Sequence, residues 1–225
     1  MVALVGGAYA AALETSVFAV RKLEIVGGSP LVKSQVEAAL APELGRSLLR
    51  VGPGEIDRLV APLPDVVGVS VDREFPSTLK IRVKPERPVL LLRRRQDTWL
   101  VSARGRVMRQ LKTPRLSSLP RLYVPKDTQV TVGETLSAAD GGSAAAAVAP
   151  LSRRMFPSPV RFVLTSNSQL TFKLASGFEI RLGDPGDLGL KLAIARRIFE
   201  RVGATAETTG YLDVSVPARP VISAA

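Results

Sequence analysis

VSVDREFPSTLKIRVKPERPV, residues 69–89, holds two strands and the break that ends them. Val69 and Val71 alternate with polar residues, and Leu79, Ile81 and Val83 alternate with Lys80, Arg82 and Lys84. Successive side chains of a strand point to opposite faces, so each run has one apolar and one polar face. The polar stretch between the runs, 72–78, makes them a hairpin. Pro85 and Pro88 follow at once. Proline has no N–H to give a ladder and is confined to strand ends and sheet edges. The second strand therefore leaves its sheet near Lys84, and the chain passes to another unit.

Upstream of the hairpin, Phe18, Val20, Leu23, Ile25 and Val26 form a strand-like run that stops at Gly27-Gly28. Ser29-Pro30 carries an N-cap hydroxyl followed by proline at the first helical position. Leu31, Val36, Ala39 and Leu40 give that helix its apolar side, and Pro42 stops it. A second helix opens at Pro53, with Ile56, Leu59 and Val60 on its buried face. Glu55 and Asp57 lie near its start, where acids match the helix dipole. The order strand, helix, helix, strand, strand predicts two helices on the apolar face of a three-stranded sheet.

Downstream, Val89–Leu92 starts a strand, and Arg93-Arg94-Arg95-Gln96-Asp97 reads as a charged turn. Residues 98–101 and 106–108 read as further strands, 122–124 as a short one, and the alanine-rich 143–149 as a short helix. Three alternating runs follow: Val160, Phe162, Leu164; Leu170, Phe172, Leu174; Phe178, Ile180, Leu182. Their short polar connections predict an antiparallel meander. A helix then runs to about Val202, its apolar stripe made by Leu188, Leu192, Ala195 and Phe199. Lys191 falls inside that stripe. It is either a lysine that snorkels its amine to solvent or a charge beside a partner's docking surface. The final strand is Tyr211–Val216, with Leu212, Val214 and Val216 facing the core by alternation. Pro217-Ala218-Arg219-Pro220 repeats the spacing of Pro85–Pro88. That repeat predicts a last strand at an open edge, which invites strand addition by another chain.

The chain has 225 residues, a net charge of +11, and neither cysteine nor histidine. Disulfides, thiolate metal sites, histidine general bases and Ser-His triads are excluded. An enzyme would have to rest on carboxylates such as Asp184 and Asp187, which read better as helix caps. No catalytic, cofactor or metal residue is expected. Residues 93–126 carry ten basic side chains and one acidic one, so they hold nearly all of the excess charge. They read as a solvated basic face or as an anion-binding patch. A nucleic-acid binder using 93–126 is the alternative function, and it predicts a steep loss of affinity with salt.

The first thirteen residues, MVALVGGAYAAAL, are uncharged. As a helix they span about 20 Å, short of the roughly 20 residues that cross a membrane. Three readings stand: a buried helix, a signal-peptide remnant, or the outer half of a transmembrane helix.

Three stretches resemble the FtsQ/DivIB family of bacterial cell-division proteins: FAVRKLEIVGGSPLVKSQVEAAL (18–40), GRSLLRVGPGEIDRLV (45–60) and LPDVVGVSVDREFPSTLKIRVKPERPV (63–89). They are similar to its POTRA domain. WLVSARGRVM (99–108), LASGFEIRLGD (174–184), LKLAIARRIF (190–199) and YLDVSVPARPVI (211–222) resemble its β domain. Ser102 departs from the acid found there in many relatives.

The resemblance implies an α+β chain: a partial transmembrane helix (1–16), a POTRA domain of β-α-α-β-β order (17–88), and a mixed, mainly antiparallel β domain with a flanking helix (89–223). It further implies a non-enzymatic, single-pass membrane scaffold of the divisome at the septum. Both domains would lie outside the cytoplasm, FtsB- and FtsL-type proteins would be its partners, and no nucleic acid or cofactor is expected. The implied partner-binding residues are Tyr211, Leu212, Asp213, Val214, Ser215, Val216, Pro217 and Ala218 on the last strand. Lys191 is implied as the helix cation that meets an acid of the partner.

Overall fold

The computed structural model describes residues 16–112, 118–151, 155–202 and 210–224. The chain divides into two compact units, with the division between Glu86 and Arg87. Residues 1–15, expected as most of a transmembrane helix, lie outside the described residues. Among the described residues no helix is long and apolar enough to cross a membrane.

In the first unit, β1 (Lys22–Val26), α1 (Pro30–Leu40), α2 (Pro53–Val60), β2 (Val66–Glu74) and β3 (Thr78–Pro85) follow the expected order. The Ser29 hydroxyl accepts the Val32 N–H at 3.4 Å, so the predicted cap is in place. Val32, Val36 and Leu40 recur every fourth residue of α1 and are buried with Ile56 and Val60 of α2. Beneath them lie Leu79, Ile81 and Val83 of β3. β3 is the central strand, antiparallel to β2 and parallel to β1.

On the opposite face Lys80 bonds Glu74 at 2.7 Å and pairs with Glu24 at 3.1 Å. The hydrogen bond from Lys80 is the main reason the Glu24 carboxyl titrates below its ordinary range. Arg46 reaches the buried Glu43 at 2.8 Å and Glu55 at 2.6 Å. Glu55, read from sequence as a dipole match, is thus also tied to the segment before its own helix. Gly27 ends β1 at φ +91°, where a Cβ would lie 2.6 Å from the Val83 carbonyl oxygen. Only glycine fits that approach.

The second unit is built on one sheet of nine strands. In chain order they are β4 (Pro88–Arg94), β5 (Asp97–Ser102), β6 (Val107–Gln110), β7 (Arg121–Tyr123), β8 (Val160–Ser166), β9 (Gln169–Leu174), β10 (Glu179–Gly183), β11 (Gly210–Asp213) and β12 (Val221–Ala224). In space the order is β12-β11-β10-β9-β8-β7-β4-β5-β6. The predicted meander is β8-β9-β10, antiparallel throughout. β7 runs parallel to both β4 and β8, and β11 runs parallel to β10. Those parallel pairings make the sheet mixed.

Two helices, α3 (Ser143–Val148) and α4 (Leu188–Val202), pack on one face. Ala144, Ala145 and Ala147 of α3 are fully buried, so the alanine-rich stretch is core. Phe199 of α4 meets Phe156 and Phe178 edge-to-face, each with ring centroids 5.6 Å apart.

The sheet's two ends differ. At β6 the chain covers its own edge. The Gly133 N–H donates to the Val107 carbonyl at 2.8 Å, the Val107 N–H donates to the Glu134 carbonyl at 2.9 Å, and Arg106 bridges Thr135. At β12 no further strand follows among the described residues.

Candidate docking edge

The sequence-predicted partner strand does not have the expected form. β11 ends at Asp213, not Val216. The Asp213 carboxylate accepts the Ser215 N–H at 2.9 Å and the Ser215 hydroxyl at 2.6 Å. This local Asx bond turns the chain out of the strand. Leu212 and Val214 are fully buried, as alternation requires, but Val216 is 56% exposed.

The Arg219 N–H donates to the Val216 carbonyl at 2.9 Å, which places Pro217 at the second position of a β-turn. The prolines of 217–220 thus reverse the chain. They do not mark a strand at an open edge. After them β12 runs back antiparallel along β11, pairing Tyr211 with Ser223, Leu212 with Ile222 and Asp213 with Val221. The other side of β11 is held by β10. The expected unpaired flank of 211–216 is therefore occupied by the protein's own chain, and the sheet's outer strand is β12.

Residues 221–224 were outside the sequence-predicted set. The signal was present in Pro220 followed by Val221-Ile222, a fresh apolar run after a turn. A strand of four residues beside two prolines carries too little periodicity to be legible by itself.

The row Val163, Phe172, Ile180, Leu212 and Ile222 crosses the sheet from β8 to β12 on the helix-bearing face. The first four are fully buried, whereas Ile222 is 42% exposed and Val221, on the opposite face, is 53% exposed. The core row thus runs off the edge with its last side chain half covered. One more strand would complete it.

Lys191 is 2% exposed, so it neither snorkels nor stands at the surface as a free cation. Its amine donates to the Asp184 backbone carbonyl at 2.9 Å and lies 3.4 Å from the Asp184 carboxylate. That carboxylate also accepts the Gly186 N–H at 2.7 Å. The Gly186 bond first, and then Lys191, hold the Asp184 carboxyl below its ordinary range. Asp184 therefore caps its own turn, while the Asp187 carbonyl accepts the Lys191 N–H at the start of α4. Next to this turn, Gly183 sits at φ +69°, and a Cβ there would lie 2.6 Å from the Ser215 Cβ. The Val214 N–H donates to the Arg181 carbonyl at 2.9 Å. Lys191, the 183–187 turn and the start of the 214–219 turn thus form one connected support for the edge hairpin. Lys191, buried, bonds the 183–187 turn, and that turn lies against Ser215 of the 211–218 segment.

Part of the basic stretch is also spent internally. The Arg94 guanidinium lies 5.0 Å from the Trp99 ring centroid and donates to the Thr128 carbonyl at 2.8 Å. Arg106 donates to the Gly133 carbonyl at 2.9 Å. Ser102, fully buried, accepts the Arg104 and Arg106 N–H groups at 3.3 Å each. Among the described residues no group of three or more acidic side chains is placed to hold a metal ion.

Residues 18–86 match the POTRA domain of FtsQ type, and residues 91–215 match the C-terminal domain of cell division protein FtsQ/DivIB. A "Cell division protein FtsQ" of Streptomyces venezuelae is 30% identical over 229 residues, spanning 98% of this chain and 80% of that protein. Two domain matches in the same order, over two units of the expected architecture, carry one conclusion: the chain belongs to the FtsQ/DivIB family, and its role lies in cell division.

Proposed function

We propose that the chain is a non-enzymatic scaffold of the division machinery that receives a partner by strand addition on the free side of β12. The partner is an FtsB-type protein, with an FtsL-type protein in the same assembly. The observation that carries this reading is the outer flank of β12, on which no strand pairs among the described residues, beside a core row whose last member, Ile222, is half exposed. The opposite end of the sheet, protected by the chain's own 133–136 segment, has no such flank at Val107. Unpaired N–H and C=O groups of an edge strand are a template for another chain, and they recognise it largely through backbone.

The hairpin 211–224 is then the docking element. Tyr211, Leu212, Asp213 and Val214 support it from behind, and Ser215, Val216, Pro217 and Ala218 form its turn. The apolar segment 1–13 is the membrane tether, which holds both units on the outer side of the membrane at the septum.

Two proline substitutions test the pairing. Consecutive N–H groups of a strand point to opposite sides, so Ile222→Pro and Ser223→Pro remove one bond toward β11 and one toward the partner. The one that removes the outward N–H is expected to weaken capture of a co-expressed FtsB-type partner at least tenfold while the urea midpoint moves little. If neither substitution alters capture, strand addition at β12 is wrong. A reporter fused after Ala225 and active only outside the membrane checks the topology.

A further inference from the structure

The face of the nine-stranded sheet turned away from α3 and α4 has a pattern that the edge does not explain. Its residues alternate with the buried row, so Arg93, Tyr123, Leu164, Thr171 and Arg181 lie along one line across β4, β7, β8, β9 and β10. Tyr123 is 50% exposed and Leu164 is 42% exposed. Toward β6 this face is closed by Leu111 and Leu119, packed on Leu91, Leu100 and Met108. No helix packs on it from β7 onward among the described residues.

Two cations on this face sit on aromatic rings. The Arg93 guanidinium lies 5.6 Å from the Tyr123 centroid, and that of Arg181 lies 3.8 Å from the Tyr211 centroid. A guanidinium held over a ring is fixed in direction and keeps its in-plane N–H groups for a carboxylate. Arg93 makes no ion pair among the described residues, and Arg181 has only Glu179, at 3.7 Å. Four strand spacings separate Arg93 from Arg181, about 19 Å at ~4.8 Å each. That is the length of about six extended residues.

We propose that this face docks an extended acidic segment of a partner protein. Acids at either end of the segment meet Arg93 and Arg181, and apolar side chains between them cover Tyr123 and Leu164. Charge complementarity supports the acid, since Arg93 belongs to the stretch that holds most of the chain's positive excess. The exposed Tyr123 and Leu164 between the cations call for apolar side chains, which a peptide supplies. Glu179, and Asp213 one strand beyond Arg181, would repel a uniformly charged polymer or an anionic membrane. A peptide, with its acids at intervals, avoids them.

The test uses the whole chain and a fluorescent, end-blocked peptide, Glu-Glu-Leu-Thr-Leu-Thr-Glu-Glu, followed by anisotropy. Saturable binding that falls at least tenfold in Arg93→Glu/Arg181→Glu is the expected result. The same loss is expected in Leu164→Glu, whose exposed site leaves the fold intact. Absence of saturable binding, or equal affinity in both variants, would overturn the proposal. So would stronger, substitution-sensitive binding to phosphatidylglycerol vesicles or to cell-wall glycan fragments.

Discussion

Lys191 shows how one residue can be read correctly for position and wrongly for role. Its place inside the apolar stripe of α4 is plain from spacing, and the stripe does bury it. Sequence offered solvent or a partner for its charge, but the ammonium meets the turn just ahead of the helix. The pair is asymmetric: the lysine side chain is 3% exposed and the Asp184 side chain 64%. Removing the exposed acid leaves a buried ammonium with only a carbonyl, whereas removing the lysine returns a carboxylate to water. Asp184→Ala is therefore expected to lower the urea midpoint more than Lys191→Met does. Urea unfolding of both variants measures the difference. A larger loss from Lys191→Met would show that the tether, not the buried charge, dominates.

At the scale of elements, prolines were the clearest marks and also the most ambiguous. Pro85–Pro88 ends β3 and opens β4, as its lack of N–H groups requires. Pro217–Pro220 has the same spacing but serves as the turn of the β11–β12 hairpin, because Pro217 suits the second turn position. A four-residue pattern of this kind states what a proline cannot do, and either outcome satisfies it. The hairpin's place depends on contact with β10. Gly183→Ala forces a side chain into a positive-φ site and against Ser215. The expected cost is about 1–3 kcal/mol. The 214–219 turn is also expected to move away from β10, seen as faster amide exchange at Val214. Unchanged exchange there would mean that β12 alone holds the hairpin.

At the scale of the whole molecule, the two units have separate cores, one built from β1–β3 with α1 and α2, the other on the nine-stranded sheet. Each closes its own charge pairs, Arg46 with Glu43 and Glu55 in the first and Lys191 with Asp184 in the second. A fragment of residues 17–86 is therefore expected to fold alone. At about 70 residues it buries only some 60% of its unfolded surface, so its stability is modest. Circular dichroism in urea should give one cooperative transition with a slope of about 1 kcal/mol per molar. A fragment lacking that transition would show that the first unit needs the second.

By itself the sequence determined what alternation, capping and missing functional groups can specify. It determined the β-α-α-β-β order, the 8-9-10 meander, the amphipathic helix at 188–202, and the absence of any histidine or thiol chemistry. These follow from local periodicity and composition, which need no partner residue to be legible. Tertiary structure alone decided which strands lie at the sheet's two ends, that β12 covers β11, and that Lys191 is satisfied from within. An edge is a property of what fails to pair, and a buried charge of what happens to face it. Both depend on residues distant in the chain, so neither leaves a local pattern to read.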